Sequence, residues 1–178
     1  GSILWVAGLH IYLYQNYGIE ALEEAERLAH KAEAKVVFKP PEKTDLRSQV
    51  EHTAGVLRGH MQPITIVETD ETISLSMKPC GSGERIIQMG GYSPEVGLAT
   101  VQEPHAITWG MQDFPIYCVH CPVTEALALE NSGSFTRVKA VSEPLYHGAC
   151  EYVFYKNPED IPDEFYARIG KRKATRPS

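Results

Sequence analysis

Apolar positions recur at helical spacing through the first third of the chain, then switch to strict alternation. Glu20 to Lys35 is rich in Ala, Leu, Glu, Lys and Arg, all good helix formers. Gly18 separates this stretch from an earlier helix ending near Tyr17. Leu46, Val50, Ala54 and Leu57 follow one another at spacings of four, four and three, which puts them on one face of a third helix. Asp45 stands where an N-cap belongs, and Pro40-Pro41 reads as the connector before it. The period then changes to two. Ile64 and Ile66 alternate with polar residues, as do Ile73, Leu75 and Met77, and Thr69-Asp70-Glu71 lies between them. This predicts a hairpin.

Met77 leads into Pro79-Cys80-Gly81-Ser82-Gly83, read as a tight turn whose glycines allow backbone angles closed to other residues. Residues 90 to 105, with Gly90, Gly91, Pro94, Gly97 and Pro104, read as loop. Pro115 opens a helix expected to reach Asn131 and stop at Gly133, with Pro122 kinking it or delaying its start. Phe135 to Ser142 and Cys150 to Tyr155 read as two antiparallel strands, joined through Glu143 to Ala149. Asp163 is expected to cap a short last helix through Ile169. Helices first, then hairpin, helix and hairpin, predict a single α+β domain over residues 1–178, an antiparallel sheet with helices on one face. Gly1-Ser2 reads as a cloning remnant, and 171–178 as a flexible basic tail.

Composition narrows the function. The chain has 178 residues and a formal net charge of −6, which argues against a nucleic-acid surface. Ile3 to Leu13 is apolar but too short to span a bilayer, and His10 interrupts it. Four cysteines are too few for a disulfide scaffold at this size. Their spacing favours a metal or redox role in a reducing, cytoplasmic setting. The apolar start from Ile3 to Tyr14 suits a homodimer.

The candidate chemistry is in those thiols and the histidines beside them. Cys118-Val119-His120-Cys121 packs two thiols and an imidazole into four residues, and His147-Gly148-Ala149-Cys150 repeats the spacing. Thiolate and imidazole are the ligands zinc prefers, so Cys118, Cys121, His147 and Cys150 form a candidate Cys3His set. Buried thiols acting as small apolar groups, or a redox pair, remain open. Cys80 is the candidate nucleophile, because a glycine-rich turn brings backbone N–H groups to its sulfur. Arg85 is placed to hold a substrate carboxylate through a bidentate fork. His120 and His105 are candidate acids or bases. The Gly81-Ser82-Gly83 run lacks the lysine and spacing of a phosphate loop, so no nucleotide cofactor is indicated.

The stretch Pro115-Ile116-Tyr117-Cys118, a helix to Gly133, Glu143, and His147-Gly148-Ala149-Cys150-Glu151-Tyr152-Val153-Phe154 resembles the closing segment of the 4-vinyl-reductase domain. That segment is shared with the ligand-sensing domains of phenol- and xylene-responsive activators. The layout is also similar to L-2-amino-thiazoline-4-carboxylic acid hydrolase-like proteins. The resemblance implies an α+β fold with a pocket between helices and sheet, and a small aromatic or heterocyclic ligand. In the sensor branch it implies zinc held by a cysteine after the proline, a glutamate and two later cysteines. Here these positions match Cys118 (with Cys121 as a substitute), Glu143 and Cys150. The remaining cysteine position falls near Tyr146, which His147 or Cys121 would replace.

The expected function is therefore a small-molecule hydrolase or lyase with a Cys/His-bound metal, zinc by preference. The alternative is a non-catalytic sensor domain with structural zinc and a pocket drawn from Trp5, Tyr12, Trp109, Phe114 and Tyr117. The third reading is a dimeric scaffold.

Overall fold

A computed structural model describes residues 2–36, 45–131, 137–141 and 150–173, with only the backbone of 131 and 137–141. Two helices open the chain, α1 (Ser2–Tyr17) and α2 (Ile19–Val36). Gly18 separates them at φ +88°, a left-handed angle that glycine adopts without a side-chain clash. α3 (Leu46–Arg58) begins at Asp45, whose carboxylate accepts the Ser48 N–H at 3.0 Å. The Pro40-Pro41 connector lies outside the described residues.

The hairpin forms as the alternation requires. β1 (Ile64–Glu68) pairs antiparallel with β2 (Thr72–Met77). β2 then pairs not with its next neighbour in sequence but with β6 (Cys150–Tyr155), and β5 (Arg137–Val141) lies on the far side of β6. The sheet order is β1-β2-β6-β5, antiparallel throughout. Opposed residues in an antiparallel pair share a face, so Leu75, Met77, Cys150 and Phe154 point together. Val50 and Leu57 of α3 pack there, the face the spacing of α3 predicted. The architecture is α+β.

Between β2 and β5 runs the segment that carries most of the chemistry. α4 (Gly83–Gln88) follows the Cys80 turn directly, where no helix was expected. Thr100–Val101 (β3) pairs with Phe114–Pro115 (β4), so the expected loop contains a short strand. Pro115 does not open an α-helix at once. A 3-10 turn spans Ile116–Val119, and α5 (His120–Asn131) starts after it, with Pro122 in its first turn. This is the delay that Pro122 predicted, since proline is tolerated where an N–H has no partner to lose. Ile19 and Leu22 of α2 pack with Val101, Phe114, Ile116, Val119 and Val123 in one apolar cluster.

The last helix, α6 (Asp163–Ala167), has Pro162 rather than Asp163 as its cap, so Asp163 is the first helical residue. The basic end is not loose through its first residues. Lys171 reaches Glu130 at 3.1 Å, and Lys173 donates to the carbonyls of Glu159 and Ile161 at 2.6 and 2.9 Å. Residues 174–178 lie outside the described residues.

The glycines after Cys80 are needed for space rather than for angle. Neither Gly81 nor Gly83 has a positive φ, which corrects the expectation for this turn. A Cβ on Gly81 would stand 2.5 Å from the His60 carbonyl oxygen and 2.6 Å from Gln62 Oε1. Gln62 is buried, takes the Gly81 N–H on its Oε1, and donates from Nε2 to Met77 Sδ at 2.6 Å. The side-chain amide thus fastens the turn to the end of β2. Gly81→Ala is expected to cost about 1–3 kcal/mol, because backbone rather than a side-chain tip must move. A urea midpoint compared with that of Gly55→Ala, where nothing lies within 4 Å, checks it.

Candidate functional site: a four-thiol centre

The β2–β6 pairing brings Cys80 and Cys150 together. Cys150 stands opposite Met77, the last residue of β2, and the chain continues from Met77 to Cys80 three residues later. Cys150 is the largest influence on the Cys80 thiol, and Cys80 on that of Cys150. Cys80 Sγ also lies 3.5 Å from the hydroxyl of Ser82, a residue only 3% exposed. Cys150, the Ser82 hydroxyl and the backbone N–H groups of Ser82 and Glu84 bring the Cys80 thiol down to about 4, against the opposing effect of burial. Cys80 is therefore a thiolate at neutral pH. Cys150 is pushed the other way, first by Cys80, then by burial and by the charge of Cys121, Cys80 and Cys118. One proton shared by two thiols gives these opposite directions.

Cys118 and Cys121 arrive from the other side. Gly83, at the start of α4, has no side chain because Cys118 Sγ would lie 2.7 Å from its Cβ. Both sulfurs are close enough to act electrostatically on Cys150 and on Tyr117. Tyr117 is pushed up to about 12, chiefly by burial, while a hydrogen bond with Ser82 opposes the shift. His120 turns its Nδ1 to the Tyr117 carbonyl at 2.6 Å and its Nε2 to Cys121 Sγ at 3.4 Å. A carbonyl only accepts, so Nδ1 carries a proton, and in the neutral ring Nε2 is the acceptor that faces Cys121. All four cysteines are free thiols.

Other expected residues are placed differently. Arg85, on α4, is exposed and donates to the Met61 carbonyl at 3.4 Å, one turn beyond Cys80. His105 caps the 3-10 turn Ala106–Thr108, with its Nδ1 accepting the Ile107 N–H at 3.3 Å. That bond occupies the nitrogen a base would use. His147 and Glu143 lie outside the described residues. The donor types of the four thiols suit zinc, but among the described residues no three of His, Cys, Asp and Glu are arranged to hold one ion. The five aromatic side chains expected to line a sensor pocket do not meet. Trp5 and Tyr12 are exposed on α1, whereas Phe114 is core and stacks edge-on with Trp109. A shallow groove of about 370 Å³ runs along Glu20, Glu23, Arg27 and Lys31 of α2, and none of the cysteines lines it.

Two buried carboxylates carry interactions that the sequence reading missed. Glu125 of α5 is 1% exposed. It accepts the Trp109 Nε1–H at 2.6 Å and two bonds from Arg168 Nη2 at 2.7 Å each. Glu26 of α2 is buried between His10 of α1, which bonds to it directly, and His30 at 3.3 Å. His10 Nδ1 also reaches the Ile116 carbonyl at 3.4 Å, and His30 Nε2 lies 3.1 Å from Thr124 Oγ1. The i,i+4 spacing of Glu26 and His30 was the available signal.

Burial alone would raise the Glu26 carboxyl. The hydrogen bonds from His10 and His30, with the charge of His10 and His120, outweigh it and hold the group well below the usual carboxylate range. A depressed folded-state value means stability present above the unfolded-state value and lost as pH falls through the folded one. We therefore expect the urea midpoint to fall as pH drops below the ordinary carboxylate range, and to fall less in Glu26→Gln, measured from pH 7 downward.

Comparison with known proteins finds no match: no family model, curated protein or solved structure aligns with this chain. Fold and site together define an α+β protein with Cys80 just beyond the end of β2, Cys150 at the start of β6, and Cys118 against Gly83 of α4. Among the described residues no helix is long and apolar enough to cross a membrane.

Proposed function

We propose that this chain is a small-molecule hydrolase or lyase that uses Cys80 as its nucleophile. The observation that carries the reading is the Ser82 hydroxyl 3.5 Å from the Cys80 sulfur, in a turn whose surroundings bring that thiol down to about 4. Such donors stabilise negative charge on the attacking atom in the resting state. In the proposed reaction the Cys80 sulfur bonds to the carbon of a C=O or C=N group, and the π pair moves onto the heteroatom. Collapse expels the leaving group, which takes a proton from a nearby acid. Water then adds to the same carbon, the C–S bond breaks, and Cys80 is regenerated. His120 is the proposed acid and base, paired with Cys121 at 3.4 Å. Arg85 is the proposed anchor for a substrate carboxylate.

The resemblance in layout of the stretch from Pro115 to Phe154 to L-2-amino-thiazoline-4-carboxylic acid hydrolase-like proteins supports a heterocyclic carboxylate as substrate. The test is turnover of L-2-amino-thiazoline-4-carboxylate by the chain and by its Cys80→Ser variant. The zinc expected from the thiol and histidine spacing forecasts a different preparation: one equivalent of zinc, with the thiols protected from reagents. Metal analysis with native thiol counting separates the two readings, because a Cys80 bound to zinc is not a free nucleophile.

A further inference from the structure

The first helix, α1, is apolar on both sides, yet the described residues of this chain cover only one of them. Ala7 and His10 are buried, and Ile3, Ile11 and Tyr14 pack against the clusters beneath. The other side leaves Leu4, Trp5, Leu9 and Tyr12 between 52% and 77% exposed. No Asp, Glu, Lys or Arg occurs anywhere in the helix. By contrast, α2 turns Glu20, Glu24 and Lys31 to water, and α3 turns Arg47 and Glu51. A helix that is apolar all round belongs in an interior. We infer that the outward face of α1 is covered by α1 of a second copy of this chain, crossing it antiparallel about a two-fold axis.

The residues of that face are arranged for such a crossing. Trp5, Leu9, Tyr12 and Asn16 follow at spacings of four, three and four, so they stand in one row, and Gly8 lies beside them. Gly8 is exposed, its φ is not positive, and a Cβ there would meet nothing within 4 Å. Neither space nor backbone angle within the chain calls for glycine, which weakens a helix relative to alanine. A close helix crossing does call for it, because a missing side chain lets a second backbone approach. An axis passing between positions 8 and 9 sets Gly8 opposite Leu9 of the second copy, whose side chain fills the gap. The same axis sets Trp5 opposite Tyr12 of the second copy. The Tyr12 ring is held for this by its edge contact with Tyr17, at 5.9 Å between centroids.

Area and charge favour a second copy over other occupants. The exposed parts of Leu4, Trp5, Val6, Leu9 and Tyr12 amount to roughly 600 Å² per copy, so pairing removes about 1,200 Å², the lower end of what specific interfaces bury. The dimer is therefore expected to form at micromolar concentration and to come apart on dilution. Two identical faces without charge meet with no like-charge repulsion. A lipid surface fits less well, because helices that lie on membranes carry Lys and Arg on their polar side. Here the nearest charged residues along the chain are Glu20, Glu23 and Glu24, and the net charge is −6. None of the thiols lies on α1, so the pairing is independent of the hydrolase proposal.

The experiment is analytical ultracentrifugation of the full chain across the micromolar range. The expected mass rises with concentration from 19.8 kDa to twice that value. Trp5→Glu and Tyr12→Lys should each weaken association by about 100-fold or more, since each change counts twice across the axis. Circular dichroism and the urea midpoint should stay near those of the unmodified chain, because both side chains are exposed. An equimolar mixture of the two variants should associate again, because the new carboxylate and the new ammonium group then face each other. Gly8→Leu should also weaken the dimer, by holding the two helices apart. A chain that stays at 19.8 kDa throughout, a dimer that survives Trp5→Glu or Gly8→Leu unchanged, or a variant mixture that remains monomeric would each overturn the proposal. A monomer that binds phosphatidylglycerol vesicles would overturn it too, and would assign the face to lipid.

Discussion

Replacing Cys80 by serine is expected to lower turnover of L-2-amino-thiazoline-4-carboxylate by about 10³-fold or more, with the fold intact. The size follows from what the substitution removes. A serine hydroxyl in this turn would keep the hydrogen bonds but would carry its proton at neutral pH, whereas the Cys80 thiol, drawn down to about 4 by Cys150, Ser82 and two backbone N–H groups, does not. Loss of a charged nucleophile at constant geometry removes about 4 kcal/mol or more of transition-state stabilisation at 1.36 kcal/mol per tenfold. The same change at Cys118 should cost far less, because Cys118 acts on the site through space and packs on Gly83. Steady-state kinetics on both variants, with circular dichroism to confirm folding, separates a nucleophile from a packing residue. Equal losses in the two would contradict the assignment.

The second large effect concerns stability. Glu125→Ala is expected to cost about 3–5 kcal/mol, because it strands buried partners rather than removing a surface charge. The Glu125 side chain is 0% exposed and Arg168 only 21%. Arg168 also lies over the rings of Trp109 and Phe165, at 4.8 and 4.5 Å from their centroids. Without the carboxylate, the guanidinium and the indole N–H lose a shared acceptor in a place water reaches poorly. The pair ties α5 to α6 beside Ala126, Leu129, Ile161 and Ile169. Arg168→Ala should cost a comparable amount, and the double variant should cost less than the sum of the two single changes. Urea denaturation of the three variants makes the cycle.

The parts of the fold with local causes were legible from the chain alone. Asp45 as a cap, the break at Gly18, the β1–β2 hairpin and the delay before α5 each depend on a few adjacent residues, and each stands as expected. The centre was legible only in its ingredients. Cys80 and Cys150 were read as members of separate sites because nothing near either residue says that β2 pairs with β6 across seventy-odd positions. A strand's alternation states which face is apolar but not which strand lies beside it. Glu26 and Glu125 were hidden for another reason. An acidic residue in a helix is exposed unless partners on other elements satisfy it, and His10, Trp109 and Arg168 are all remote in sequence. His105 was read for its chemistry, yet its ring serves a local cap two residues on.

Carbamidomethylation of Cys80, followed peptide by peptide from pH 3 to pH 9, tests most directly whether this chain holds a resting thiolate. Reaction with iodoacetamide should be half-maximal near pH 4 at Cys80, with Cys150 unreactive across the range. An ordinary cysteine rate profile at Cys80, still rising at pH 8 to 9, would contradict the thiolate and the nucleophilic role that depends on it.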